Sequence, residues 1–376
     1  MKTFAFLFTA AILAFLPTAN AEDLKKGERI IFLGDSITQQ GAQGNGYIRQ
    51  IESVINRTHP DYGVTIIGAG ISGNKVPDCQ KRLERDVINK KPTLVFIYIG
   101  INDVWHWNKD RGTKKEDFDA GLRDMISKIS AAGARVILCT PTVIGEKIDG
   151  SNEFDTMLDE YADISRKVAA DTGSEMLDLR KGFMDHLKAV NQANQPKGVL
   201  TGDTVHLNDA GNAKVAEMML AAVGVKMPAL TMPSVFTSHM VLQRNKPVTL
   251  WGRAKTGSNV SVQLGDESST ATASDSGNWQ VTLKERAASS APVTLSVSSG
   301  DEKLEISDIL IGDVWVGSGQ SNMAWTLPRT VGGPEIIAAA NHPLIRLYHV
   351  PRVQAKLPTT DINTAWQTCT SENVPQ

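Results

Sequence analysis

Between residues 22 and 224 the chain alternates two patterns of apolar and polar positions. Short apolar runs, Ile30-Ile-Phe-Leu33, Val64-Thr-Ile-Ile67, 93–99, 135–139 and 175–179, predict strands, the first covered on both faces. Helical patterns predict helices over 47–58 (Ile48, Ile51, Val54, Ile55), 76–89, 118–131, 157–170 and 210–222. Alternation of this kind predicts an α/β fold, a parallel sheet with helices on both faces, in which reactive side chains gather beyond the carboxyl ends of the strands. From about 230 to 309 the pattern changes to short period-two runs: Val248-Thr-Leu-Trp251, Val260-Ser-Val262, Trp279-Gln-Val-Thr-Leu283 and Val293-Thr-Leu-Ser-Val297. Turn residues separate them (Lys255-Thr-Gly257, Asp275-Ser-Gly277, Ser299-Gly300), which predicts a small antiparallel β-sandwich, a spacer or a carbohydrate-binding module.

The first residues follow a third pattern. Met1-Lys2, an apolar run over 4–16 and Ala19-Asn20-Ala21 read as a signal peptide cleaved after Ala21, with delivery to the periplasm or the outside. The run is short for a membrane span, so no stable span is expected after signal removal; an uncleaved anchor is the competing reading. The expected organisation is therefore a signal over 1–21, an α/β domain over 22–224, a β-sandwich over 229–309 and a further segment over 310–376.

Composition narrows the picture. A length of 376 residues suits two or three domains, and 41% hydrophobic with 21% charged residues is that of a soluble globular protein. A net charge of −2 with no long basic run leaves no electrostatic footprint for nucleic acid. Cys79, Cys139 and Cys369 are odd in number and far apart, which builds neither a disulfide framework nor a zinc-type pair; Cys79 is expected to pack.

Candidate chemistry follows the predicted strands. Gly34 permits a sharp turn after the first, leaving Asp35-Ser36 at the sheet's carboxyl edge; the pair either caps the next segment or presents a nucleophile. Gly70-Ile-Ser-Gly73 follows the second, where a glycine lets a backbone N–H approach an oxyanion. Gly100-Ile-Asn-Asp103 follows the third and offers the Asn102 amide as a donor, or a helix cap. Asp203-Thr-Val-His206 precedes the last helix, a spacing that lets a carboxylate hold one imidazole nitrogen while the other faces a serine. Trp105, His106 and Trp107 either line a ligand or pack their own loop, and His106 is a rival base without a matching carboxylate.

Gly34-Asp-Ser-Ile-Thr38, Gly73, Gly100-Ile-Asn102 and Asp203-Thr-Val-His206 resemble, in order and spacing, the four blocks of the SGNH (GDSL-type) hydrolase superfamily over residues 22–224. The resemblance implies a flavodoxin-like three-layer fold and ester hydrolysis. It makes Ser36 the nucleophile, His206 the general base, Asp203 its orienting partner, and Ser36 N–H, Gly73 N–H and Asn102 the oxyanion hole.

A second resemblance covers 229–376. Pro233-Ser-Val-Phe236, Met240-Val-Leu-Gln243, Pro247-Val-Thr-Leu-Trp-Gly252, Gly319-Gln-Ser-Asn-Met323 and Pro343-Leu-Ile-Arg346 are similar to the front part of the sialate O-acetylesterase family. By it, 310–376 is the beginning of a second SGNH-like domain, and Ser321 falls on its nucleophile after the apolar run at 309–311. No Asp-x-x-His element follows, and neither His342 nor His349 has the motif's context. The second unit is expected to be inactive, its incomplete sheet exposing an edge, with the native protein continuing past Gln376 or its gene truncated.

Together these features describe an exported serine esterase acting through an acyl-enzyme, without metal or cofactor, on short acyl esters. Its expected substrate is a small ester or an acetylated carbohydrate, polysaccharide or sialic acid. A lipase or thioesterase would use the same residues, although no long apolar lid segment is present; an acyltransferase would replace water by a sugar hydroxyl. A carbohydrate-binding or cell-surface scaffold acting through the β domain is the reading from a different class.

Overall fold

The computed structural model describes residues 23–274, 277–350, 362 and 364–374. The expected signal peptide lies outside the described residues. Strand β1 (Arg29–Gly34) is the second of a five-stranded parallel sheet with β2 (Thr65–Gly70), β3 (Leu94–Tyr98), β4 (Arg135–Cys139) and β5 (Glu175–Leu177). The order is β2-β1-β3-β4-β5, the flavodoxin-type arrangement. Ile31 pairs with Ile67 on one side and Val95 on the other. Because β1 has helices over both faces, Ile30, Ile31, Phe32 and Leu33 are all buried, and Phe32 stacks on Phe96 at 5.1 Å between ring centroids. That is why an unbroken apolar run, rather than an alternating one, encodes this strand.

The helices are α1 (Ser36–Gly41), α2 (Tyr47–Thr58), α3 (Val76–Asp86), α4 (Ile101–Trp105), α5 (Lys115–Ala131), α6 (Asp155–Thr172), α7 (Leu179–Val190) and α8 (Asp209–Ala221). They form two groups, α2 with α8 and α7, and α3 with α5 and α6. The chain order reverses at β1, so the crevice beyond the carboxyl ends of β1 and β3 is where a ligand is expected. Ser36 leaves the end of β1, and Asn102 follows β3. The expected strand at 175–179 is shorter, because Asp178 caps α7, its side chain accepting from Lys181 N, and Leu179 is already helical.

Beyond residue 228 the chain is β-rich. One five-stranded sheet has the order β6 (Val241–Gln243), β12 (Glu302–Gly312), β11 (Ser289–Ser299), β8 (Asn259–Leu264) and β9 (Glu267–Thr272); β7 (Val248–Arg253) and β10 (Asn278–Leu283) pair separately. Strands β7, β8 and β10 alternate buried and exposed positions strictly, as their period-two pattern requires. The apolar run at 309–311 continues β12, pairing with β11 and, in parallel, with β6. After it come two short 3₁₀ turns, α9 (Gly333–Ala338) and the antiparallel pair β13 (Asn341–Tyr348) and β14 (Trp366–Thr370). Trp315 there is 90% exposed. All three cysteines are unpaired and buried. Among the described residues, no helix is long and apolar enough to cross a membrane.

Candidate active site

Gly34 ends β1 where a side chain has no room: a Cβ there would lie 2.4 Å from Tyr98 O and 2.1 Å from Thr38 Oγ1. The chain then turns at Asp35, whose Oδ1 accepts the Ile37 N–H at 2.9 Å and starts α1. Both readings of Asp35-Ser36 thus have a place, since the cap is Asp35 and the hydroxyl is Ser36. Ser36 is the first residue of α1 and 7% exposed. Its N–H is one of those that a helix start leaves without an intrahelical acceptor.

On the far side of the crevice, residues 203–206 fold tightly upon themselves. Asp203 Oδ1 accepts from Val205 N at 3.0 Å and His206 N at 2.7 Å, while Oδ2 lies 2.7 Å from His206 Nδ1. His206 Nε2 lies 2.9 Å from Ser36 Oγ, across 170 positions of sequence. Burial works to raise the Asp203 pKa, but the backbone N–H and the imidazole of His206 outweigh it and hold the carboxyl below its ordinary value. The imidazole therefore has an ionised acceptor at Nδ1, a tautomer that leaves Nε2 free to accept from a hydroxyl.

This segment is clamped from behind. The buried Glu146 carboxylate accepts from Val199 N (2.8 Å), Leu200 N (2.7 Å), Thr201 N (2.5 Å) and Thr201 Oγ1 (2.8 Å). Gly145 N donates to Thr204 O at 2.8 Å, and Thr204 sits at φ 89°, a conformation L-residues rarely adopt.

Two further donors come from the β2 and β3 ends. Gly73 has φ 76°, the left-handed region that favours glycine, and open space where a Cβ would be. The buried Asn102 side chain donates one amide hydrogen to Asn74 O at 3.1 Å, which leaves its second hydrogen for a ligand.

The aromatic loop divides. Trp105 packs against the α/β core, and Trp107 donates to Tyr161 OH at 3.4 Å with its ring laid against Gly112. Burial and the cations Lys75, Arg111 and Lys109 lower the His106 pKa, and the imidazole that meets Ser36 is His206. Ser321 opens a 3₁₀ turn, is exposed, and shares an open cleft of about 1000 Å³ with His349. Among the described residues no imidazole or carboxylate is hydrogen-bonded to it.

Two buried residues around the site were not anticipated, Arg82 and Glu146, and Asp35 and Asp103 prove to be buried as well. Burial above all pushes Asp35 up to about 7, against the Ile37 N–H, with the Asp103 charge adding to the rise. Burial likewise pushes Asp103 up to about 6. Arg82 could have been flagged by its spacing, because it lies three residues from Cys79 on the apolar face of a predicted helix. Glu146 lies outside any periodic segment and carries no such signal.

Residues 32–214 match the GDSL-like Lipase/Acylhydrolase family. An acetylxylan esterase of Geobacillus stearothermophilus is 32% identical over 217 residues, 53% of this chain and 94% of that protein. The crystal structure of an acetyl xylan esterase, AlAXEase, superposes with a TM-score of 0.51 at 42% identity, over 52% of this chain and 99% of that one. A sialate O-acetylesterase of Homo sapiens is 30% identical over 156 residues, 38% of this chain but only 30% of that longer protein. The chain belongs to the GDSL-like lipase/acylhydrolase family of carboxylic ester hydrolases.

Proposed function

We propose that this chain is an exported serine esterase that removes acetyl groups from carbohydrates. The observation that carries the reading is the unbroken hydrogen-bond chain from Ser36 Oγ through His206 to Asp203. Serine is a weak nucleophile unless a base takes its proton, and this chain supplies one. His206 Nε2 takes the Ser36 proton as Oγ attacks the ester carbonyl, and Asp203 balances the imidazolium. The N–H groups of Ser36 and Gly73 and the free hydrogen of Asn102 receive the oxyanion. As the tetrahedral centre collapses, the C–O bond to the sugar breaks and His206 protonates the departing oxygen. Water, deprotonated in turn by His206, releases acetate and restores Ser36. The carbohydrate follows from the names of the relatives, an acetylxylan esterase and a sialate O-acetylesterase.

The remaining architecture belongs to the same proposal: a signal peptide over 1–21, the hydrolase domain over 22–224, a β-sandwich over 229–309 and a sialate O-acetylesterase-like segment over 310–376, with Ser36 rather than Ser321 as the nucleophile of the proposed reaction. Ser36→Ala is expected to lower turnover of p-nitrophenyl acetate and of acetylated xylo-oligosaccharides by at least about a thousandfold, while Ser321→Ala retains it. Activity retained in Ser36→Ala sinks the assignment. A preference for acyl chains of eight carbons or more in a nitrophenyl ester series replaces the acetyl esterase by a lipase.

A further inference from the structure

The donors proposed for the oxyanion sit on three separate segments, and one buried side chain is wired to all of them. Arg82, on α3, is 7% exposed. Its Nη2 donates at 2.7 Å to Gly34 O, two residues before Ser36. Its Nη1 donates at 2.8 Å to Ala69 O, in the β2 strand that leads into the Gly73 loop. Its Nε donates at 2.7 Å to Oδ1 of Asn74, the residue after Gly73, whose carbonyl accepts the Asn102 amide at 3.1 Å. The two remaining guanidinium hydrogens face Asp86 Oδ2 at 3.1 Å and Cys79 Sγ at 3.5 Å.

All five N–H groups of the guanidinium are thus occupied, as burial of a cation requires. Charge neutralisation alone would need only Asp86. The other oxygens it holds belong to the backbone and amide framework of the crevice. A planar fork fixes the distances between its acceptors, which a lysine ammonium on a flexible stem does not.

Resting on the reading of Ser36, Gly73 and Asn102 as oxyanion donors, we propose that Arg82 is a positioning residue that sets the spacing of those donors, through Gly34 on one side and Asn74 and Asn102 on the other. It touches no reacting atom. Its effect reaches the reaction through where the three donors lie when the tetrahedral oxygen forms.

The test uses the whole chain and p-nitrophenyl acetate, with kcat, KM and thermal midpoint measured together. Loss of one oxyanion donor costs about a hundredfold or more, so displacing the donors without removing them is expected to lower kcat roughly tenfold in Arg82→Lys, with KM little changed. Asn74→Ala, at a half-exposed site, is expected to lower kcat similarly; Asn74→Asp, which keeps an oxygen for Arg82, recovers most of it. In Asn102→Ala the further cost of Arg82→Lys shrinks, because one donor that it positions is already gone. Lower thermal midpoints with unchanged kcat, or losses that multiply fully in the double variant, overturn the proposal. Should Arg82→Lys fail to fold, the Asn74 pair decides alone: equal kcat in Asn74→Ala and the wild type overturns it. Activity surviving Ser36→Ala refutes the underlying esterase reading instead, so the two failures are distinguishable.

Discussion

Asp35 combines two demands that conflict. Its oxygen must cap α1, which calls for a short polar side chain, yet the position is buried beneath the crevice, which disfavours the carboxylate. The outcome is a carboxyl pushed up to about 7 from an ordinary 3.8, chiefly by burial. Between about pH 4 and 7 the folded chain therefore holds a proton that the unfolded chain has released. The unfolded state binds fewer protons there, so stability falls as pH rises through this window and levels off above it. Asp103 acts with the same sign, from an ordinary 3.8 to about 6. Asp35→Asn keeps the oxygen that accepts the Ile37 N–H and cannot ionise. Its thermal midpoint is expected to fall less than that of the wild type between pH 4 and 7; identical slopes refute the argument.

At the scale of elements, the segment carrying Asp203 and His206 has almost no regular structure of its own and depends on Glu146. Glu146→Gln sets an amide nitrogen against donors that now share a carboxylate, leaving at least one buried N–H unpaired. A buried donor left unpaired costs about 1–3 kcal/mol, so a loss on the order of 3 kcal/mol and a drop in thermal midpoint of roughly 6–12 °C are expected. Turnover should fall as well, because the same bonds set where His206 stands relative to Ser36. An unchanged midpoint measured by circular dichroism rules out the clamp. The contrast with the helices is instructive. The predicted helix over 47–58 is Tyr47–Thr58 in the structure, because Ile48, Ile51, Val54 and Ile55 pack locally and their spacing alone specifies the element. Helix α7 was not foreseen although Leu179, Phe183 and Leu187 are spaced four apart. Its start depends on Asp178, which also takes hydrogen bonds from Arg166 and Thr140 on other elements. The candidate site divides likewise. Glycines, a serine, an asparagine and an Asp-x-x-His are visible because turns and the proposed proton transfer demand those side chains. Arg82 and Glu146 bind backbone atoms 48 and 54 positions away (Gly34 O, Leu200 N), and a backbone atom leaves no mark in a sequence.

At the scale of the whole molecule, the buried apolar side chains of the described residues form two separate cores. One is built from buried residues between Leu24 and Val225, the other from residues between Leu230 and Ile309. The start of the β-rich region is tied to its own strand β12, since the Glu302 carboxylate accepts from Ala229 N at 3.1 Å and Leu230 N at 2.6 Å. A chain of about 200 residues buries ample surface to be stable alone, so the α/β unit has no need of the β-rich one. Scanning calorimetry of the whole chain is accordingly expected to show two transitions. A fragment of residues 22–228 should retain one of them together with turnover of a soluble acetyl ester, because Ser36, Gly73, Asn102, Asp203, His206, Arg82 and Glu146 all lie within it. Asp35→Asn should then alter the pH dependence of that transition and leave the other in place. A single cooperative transition, or a fragment without both fold and turnover, would show instead that the two cores stabilise one another and that the β-rich region is part of the esterase rather than an attachment to it.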